Sequence, residues 1–401
     1  MQIIKRDYLQ KLIDVIRTRD IKVVTGVRRS GKSVLLELLA DYIRMNIPKA
    51  NVITINFNSL DYENLREYHA LNDYIENCYQ PDMLNFVMID EVQMCQGFEY
   101  AINSLHSSQK YDIYITGSNA FLLSSDLATL FTGRTYSIEV FPFSYKEYLA
   151  YYRANGRKVG FDDYLYEGGL AGAFAYPERE QKYQYIREVY DTLIVRDIVQ
   201  KYDLRRPETL EAVSNFMLSN ISKECSLRSI ADTLTSATGQ SNYHSVVGNY
   251  LSYLQNAYAF YKVSRYDIRG KQYLASQDKY YVSDHGFRFA KLGTKTPDYG
   301  KVLENIVALE LLRRGYELYV GVLRDGEVDF IAIKQDKKLY IQVSYNIDDE
   351  RTRQRELNSL LSIRDAYPKI LIARTHQPEY IEEGVRVIDV EDWLTWDDDS
   401  L

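Results

Sequence analysis

Gly26-Val27-Arg28-Arg29-Ser30-Gly31-Lys32-Ser33, followed by Val34, is a GxxxxGKS run between a β-branched stretch, Ile21 to Thr25, and a helical apolar pattern, Val34, Leu35, Leu38 and Leu39. Its chemistry is that of a phosphate cradle, in which backbone N–H groups and the positive end of the following helix gather around anionic oxygens. Lys32 then reaches the β- and γ-phosphates of ATP, and Ser33 helps hold Mg2+. The alternative is a glycine-rich turn without a ligand; the complete pattern and its flanks argue against it. A second chemical pair ends the apolar run Leu84 to Glu91, LNFVMIDE. A buried parallel strand has no need of carboxylates at its tip, but a P-loop ATPase does: Asp90 for Mg2+ through water, Glu91 to orient or deprotonate the attacking water. Ser118 and Asn119, after the strand Tyr111 to Ile115, read two ways, as groups bonding the γ-phosphate or the water, or as caps of a helix over Phe121 to Leu127. Arg134, beside Gly133 and before a strand Tyr136 to Val140, reads either as a cation for a phosphate in its own or a neighbouring subunit, or as a surface arginine.

These groups need an α/β sheet to hold them. Arg6 to Arg17 reads as an amphipathic helix leading into the first strand, and Asn51 to Phe57 as a second strand. At 401 residues, two or three domains are expected. The N-terminus carries charges throughout, so neither a signal peptide nor a membrane span is expected. Cys78, Cys95 and Cys225 are scattered without disulfide or zinc spacing, which makes a reducing cytoplasm the expected location. A net charge of −7 excludes polyanion binding by the surface at large, so any nucleic-acid contact must be a local patch. The 37 tyrosines read as half-buried amphipathic filler, none of them catalytic.

The first 155 or so residues resemble the additional-strand P-loop ATPases, and specifically an AAA+-like prokaryotic group (AAA_14 type) that carries a C-terminal DUF4143 region. The matching stretches are GVRRSGKS, VMIDEVQ, ITGSNAFLL and LFTGRTYSIEVFPFSYKEYL and, further on, YVSDHGFR and Glu327-Val328-Asp329-Phe330, so that the resemblance spans essentially the whole chain. The resemblance implies a sheet order 5-1-4-3-2, with the strand bearing Asp90 not adjacent to the P-loop strand. Beyond that sheet, 156–206 reads as a helical lid or linker with a Gly168-Gly169 hinge and a long helix Tyr183 to Val199.

Residues 207–296 read as a winged helix-turn-helix. The helix Leu210 to Ser219 comes first, then two Ser-capped helices beginning at Ser226 and Ser241, and then strand-like stretches Phe260 to Tyr266 and Lys279 to Val282. Lys262, Arg265, Arg269 and Lys271 form a local basic strip suited to DNA phosphates; winged helices also serve protein contacts and the second helix has no Arg or Lys, so DNA contact is only narrowly preferred to a structural or protein-binding role. In 297–401, Glu304 on the helix Val302 to Arg314, and Asp329 and Gln342 on a hairpin, resemble the metal-binding positions of the PD-(D/E)xK nuclease fold. Ser344 stands where that fold has its lysine, with Lys334 and Lys338 as substitutes only by reaching back, so a shell retained for binding is favoured over cleavage.

The fold class expected is therefore an α/β P-loop (ASCE/AAA+-like) parallel-sheet domain over 1–155, followed by the linker, the winged helix-turn-helix and the nuclease-like α/β domain. The function expected is ATP hydrolysis driving a DNA- or protein-binding C-terminal half, with homo-oligomers and no membrane partner. The alternative is an ATP-dependent binding switch without turnover, in which Glu91 would have no task.

Overall fold

The computed structural model describes residues 4, 6–117, 131, 133–239, 243–293, 298–324 and 326–396. Helix α1 (Asp7–Asp14) leads into β1 (Ile21–Thr25), and α2 (Lys32–Asn46), β2 (Ala50–Asn56), α3 (Tyr68–Asn77), β3 (Leu84–Asp90), α4 (Phe98–Ser107), β4 (Tyr111–Thr116) and β5 (Thr135–Glu139) follow. The five strands form one parallel sheet in the order β2-β3-β4-β1-β5, so β4 separates β3 from β1 as the resemblance implied. The centre of the sheet is buried on both faces: β1 is wholly buried and β3 nearly so, which is why they read as continuous apolar runs. Leu35, Leu36, Leu39 and Ile43 of α2 pack on one face with Leu9 and Leu12 of α1, and Leu71, Ile75, Ile102 and Leu105 of α3 and α4 on the other. Register puts Thr116 beside Val24, Glu139 beside Thr25 and Asp90 beside Asn56. The chemistry-bearing strand ends therefore share one edge.

Next come α5 (Tyr145–Ala154), α6 (Phe161–Glu167) and α7 (Arg179–Thr192), which runs into a π-helical turn, Leu193–Val199. The helix expected over Tyr183 to Val199 thus changes its hydrogen bonding after Thr192. Gly168 and Gly169 are pinned and do not serve as a hinge. The Gly169 N–H donates to Asp284 Oδ2 at 2.7 Å, and a Cβ on Gly168 would lie 2.1 Å from Asp284 Oδ1.

The rest is α8 (Pro207–Ser219), β6 (Glu224–Cys225), α9 (Leu227–Thr238), α10 (Tyr243–Asn256), β7 (Phe260–Asp267), β8 (Gln272–Val282), α11 (His285–Leu292), α12 (Tyr299–Arg313), β9 (Glu317–Leu323), β10 (Gly326–Lys334), β11 (Lys337–Ser344), α13 (Glu350–Leu361), β12 (Lys369–Ala373), β13 (Tyr380–Glu382), β14 (Val385–Asp389) and α14 (Val390–Thr395). Ser226 caps α9 with a reciprocal bond to Ser229, as its position suggested. The boundary expected at 296/297 does not separate two sheets. Beyond it β9 pairs in parallel with β7, giving one nine-stranded sheet in the order β13-β14-β12-β11-β10-β9-β7-β8-β6. The hairpin β7–β8 is consequently no free wing: its open edge, a row of unpaired N–H and C=O groups, is satisfied by β9. Among the described residues no helix is long and apolar enough to cross a membrane.

Candidate functional site

The P-loop leaves β1 through Gly26, whose φ of +131° and whose approach to Val140, where a Cβ would fall 2.1 Å from the carbonyl oxygen, admit only glycine. Arg29 and Gly31 also have positive φ, at 66° and 100°, and the loop closes on the first turn of α2. From below, Arg6 holds it: one guanidinium donates to Ser30 O at 2.7 Å and Phe141 O at 2.8 Å while pairing with Glu147 at 2.8 Å. Val27 and Ser30 are buried, Arg28 and Ser33 half-buried, and Arg29 and Val34 exposed. Lys32 lies inside the curl, where its ammonium donates to Gly26 O at 2.9 Å and Val27 O at 3.2 Å. Burial lowers its pKa, and the carboxylates of Glu91, Asp90 and Asp197 oppose that.

At the tip of β3, Asp90 Oδ1 accepts a hydrogen bond from the Thr116 hydroxyl, and the same Thr116 oxygen accepts the Glu91 N–H at 3.1 Å. Burial raises the Asp90 pKa, while the hydroxyls of Thr116 and Ser33 favour its charged form. Glu91 is a non-glycine residue at φ 56°, ψ 49°, a conformation that costs of order 1–3 kcal/mol and that the surrounding contacts must hold. Its carboxylate accepts from Gln93 Nε2. The site fits Mg2+ and a triphosphate: Asp90 Oδ2 and Ser30 Oγ are buried with no hydrogen-bond partner among the described residues.

Lys32, Ser33, Asp90 and Glu91 therefore come together. Asn119, like Ser118 and the helix expected after it, lies outside the described residues. Arg134 does not join the site. Its carbonyl accepts the Ile21 N–H at 2.9 Å, which places it at the amino end of β1 and β5, roughly 13 Å of strand away from the P-loop edge. A role in its own subunit is excluded by that position. Two groups were missed in the sequence. Thr116 directly follows the strand expected over Tyr111 to Ile115, and Asp197, on the π-helical turn, is buried and pairs with Arg28 at 3.3 Å. The signal for Asp197 was an acid inside the apolar run Leu193 to Val199.

The second acidic group differs. Glu304, Glu327 and Asp329 surround the ammonium of Lys279 from β8, at 3.0, 2.7 and 3.4 Å, and Glu304 also takes Lys301 at 2.7 Å and the Tyr281 hydroxyl at 2.9 Å. Burial would lower the Lys279 pKa, but the three carboxylates raise it further than burial lowers it. Asp329 is pushed up to about 7, by burial and then by Glu304, despite Lys279. Gln342 does not converge with the acids: its Nε2 donates to Glu356 of α13, and its Oε1 accepts the Asp329 N–H. Lys334 and Lys338 lie against Tyr316 and Tyr340, so the cation among the acids is neither of the expected substitutes. Of the basic strip, Lys262 pairs with Asp278 at 2.9 Å and Arg265 with Glu224 at 3.2 Å; Arg269 and Lys271 stand at the hairpin turn.

Residues 18–149 match an AAA domain family (AAA_14), and residues 159–298 match a domain of unknown function, DUF8612, where the resemblance had implied DUF4143. An uncharacterized protein of Haemophilus influenzae is 37% identical over 395 residues, 97% of this chain and 98% of that protein. One from Methanocaldococcus jannaschii is 27% identical over 98% of this chain and 88% of its own. Among solved structures, AMPPCP-bound DnaA from Aquifex aeolicus overlaps 63% of this chain and 89% of its own at 14% identity, with a TM-score of 0.33.

Proposed function

The chain belongs to the family that includes the Haemophilus influenzae protein, with a P-loop ATPase domain of AAA type, and on that premise we propose that it binds Mg2+·ATP at the P-loop and hydrolyses it. When bound, Mg2+ neutralises charge on the phosphate oxygens; Ser33 Oγ and Asp90 Oδ2 would hold it. Lys32, released from its own loop's carbonyls, donates to the β- and γ-phosphates. Glu91 takes a proton from the water as its oxygen attacks the γ-phosphorus and the bond to the bridging oxygen breaks, leaving ADP and phosphate. Thr116 fixes both acids at once through one hydroxyl. The observation that carries this reading is the convergence of Lys32, Ser33, Asp90, Glu91 and Thr116 at one strand edge around buried oxygens that lack partners.

Nucleotide state reaches the rest of the chain by two routes. Arg28 holds Asp197 of the π-helical turn, and the hydroxyls of Tyr258 and Tyr261 donate to Thr25 and Glu139 at the ends of β1 and β5, at 3.2 and 2.5 Å. The output is the C-terminal half, the helices α8 to α10 together with the nine-stranded sheet, which engages DNA without cutting it, since Lys279 sits among the acids and Ser344 stands where a PD-(D/E)xK nuclease has its lysine. Arg134 reaches a nucleotide only in a homo-oligomer, where a second copy presents it. In calorimetric titration Lys32→Ala abolishes ATP binding, whereas Glu91→Gln binds normally and releases phosphate about 100-fold more slowly. Turnover in Glu91→Gln equal to wild type would overturn the hydrolytic assignment.

A further inference from the structure

The turn between β7 and β8, the turn between β9 and β10, and α13 enclose a cleft of about 1730 Å³. That is beyond the roughly 300–1,000 Å³ of small-molecule pockets. Its walls carry Arg269, Lys271, Arg324, Arg351 and Arg364, none of which makes an ion pair among the described residues. The three acids that also line it are engaged. Asp349 caps α13 through the Thr352 N–H at 2.9 Å, Glu350 pairs with Arg353, and Asp365 accepts the Tyr340 hydroxyl at 2.6 Å. The charge left over is positive, in a protein whose net charge is −7.

The helix explains how this arises. Arg351, Arg355, Asn358 and Ser362 recur at three- and four-residue spacing and line the cleft, while Leu357 and Leu360 between them are buried in the core. Lys338 lies in the same cleft, 4.9 and 5.0 Å from the ring centroids of Tyr340 and Tyr367, and Tyr367 is 46% exposed. Spaced cations beside an open aromatic face suit a chain with alternating phosphates and bases. An acidic peptide would use the cations and leave the ring unused.

We propose that this cleft binds single-stranded nucleic acid, its phosphates on the five unpaired cations and a base against Tyr367. The inference rests on the reading above that the C-terminal half engages nucleic acid, and it moves the binding surface from Lys262 and Arg265, which are already paired, to the α13 side. The test is fluorescence anisotropy of a labelled 20-nucleotide oligo-dT with the full chain over a salt series. Arg324→Gln/Arg351→Gln/Arg364→Gln should bind at least tenfold more weakly, with a log–log salt slope shallower by about 0.7 for each phosphate no longer neutralised. Tyr367→Leu should weaken binding about fivefold at unchanged slope, and Lys262→Gln/Arg265→Gln should stay within twofold of wild type. Melting temperature and ATP affinity report whether each variant folds; Arg269→Gln/Lys271→Gln, confined to an exposed turn, replaces the triple variant if it does not. Wild-type binding unaffected by the cleft variants overturns the cleft and leaves the nucleic-acid reading standing. No binding by the wild type overturns both. Displacement of the oligonucleotide by polyglutamate at equal charge assigns the cleft to an acidic protein segment and overturns the proposal.

Discussion

Two groups of carboxylates cluster in this protein, one at a strand end and one between a helix and a sheet, and they solve the same electrostatic problem in opposite ways. At the P-loop, Asp90 and Glu91 face Lys32, yet Asp90 Oδ2 has no hydrogen-bond partner among the described residues, so the site still requires a cation and an anion from outside. In the nine-stranded sheet, Glu304, Glu327 and Asp329 share an ammonium that the fold itself supplies. The acids that await a metal are those that keep a buried oxygen without a partner. An acidic cluster therefore identifies chemistry less well than the partners of its oxygens do.

The comparison breaks first at Lys279. Lys279→Met leaves buried carboxylates without their counter-ion and should cost about 3–5 kcal/mol of stability in chemical denaturation, with ATP affinity retained if the protein stays folded. A decrease below about 1 kcal/mol would mean that the acids are neutralised by protonation and not by the lysine.

Glu139 sharpens the contrast from the other side, because it has a hydroxyl partner, Tyr261, and no cation among the described residues. Burial pushes its carboxyl up to about 7, with the Tyr261 hydrogen bond opposing. A folded pKa above the unfolded value near 4.5 means that the native state holds the extra proton between the two. Stability from this group is complete below about 4.5 and is lost as pH rises through about 7. Glu139→Gln removes that loss, so its melting temperature relative to wild type should climb across this window and level off above it. A difference independent of pH would contradict the shift.

The smallest effect is expected at Arg134. If the open P-loop site draws a second cation from a neighbouring copy, mixing Arg134→Ala with Lys32→Ala protein restores part of the turnover, and wild-type turnover rises with protein concentration. If neither occurs, Arg134 is a surface residue and the site takes only the cation that comes with the nucleotide.

Much of the first domain was legible because its chemistry is local. GxxxxGKS must lie between a strand and a helix to present its N–H groups, and LNFVMIDE is a buried strand whose two terminal acids gain their meaning from the phosphate loop that precedes them in the chain. The order 5-1-4-3-2 came from resemblance, since hydrogen bonding between parallel strands leaves no mark in spacing. Only the tertiary structure decided the rest. Which edge a residue occupies follows from strand direction, and this removed Arg134 from its own subunit's site although it precedes a sheet strand. Lys279 and Asp197 act across 25 and more residues of chain, so their partners are set by sheet pairing and helix packing, and not by anything within reach of a motif. In the same way, β9 joins β7 because an open hairpin edge is costly to leave unpaired, and that one pairing merged two expected domains into a single sheet.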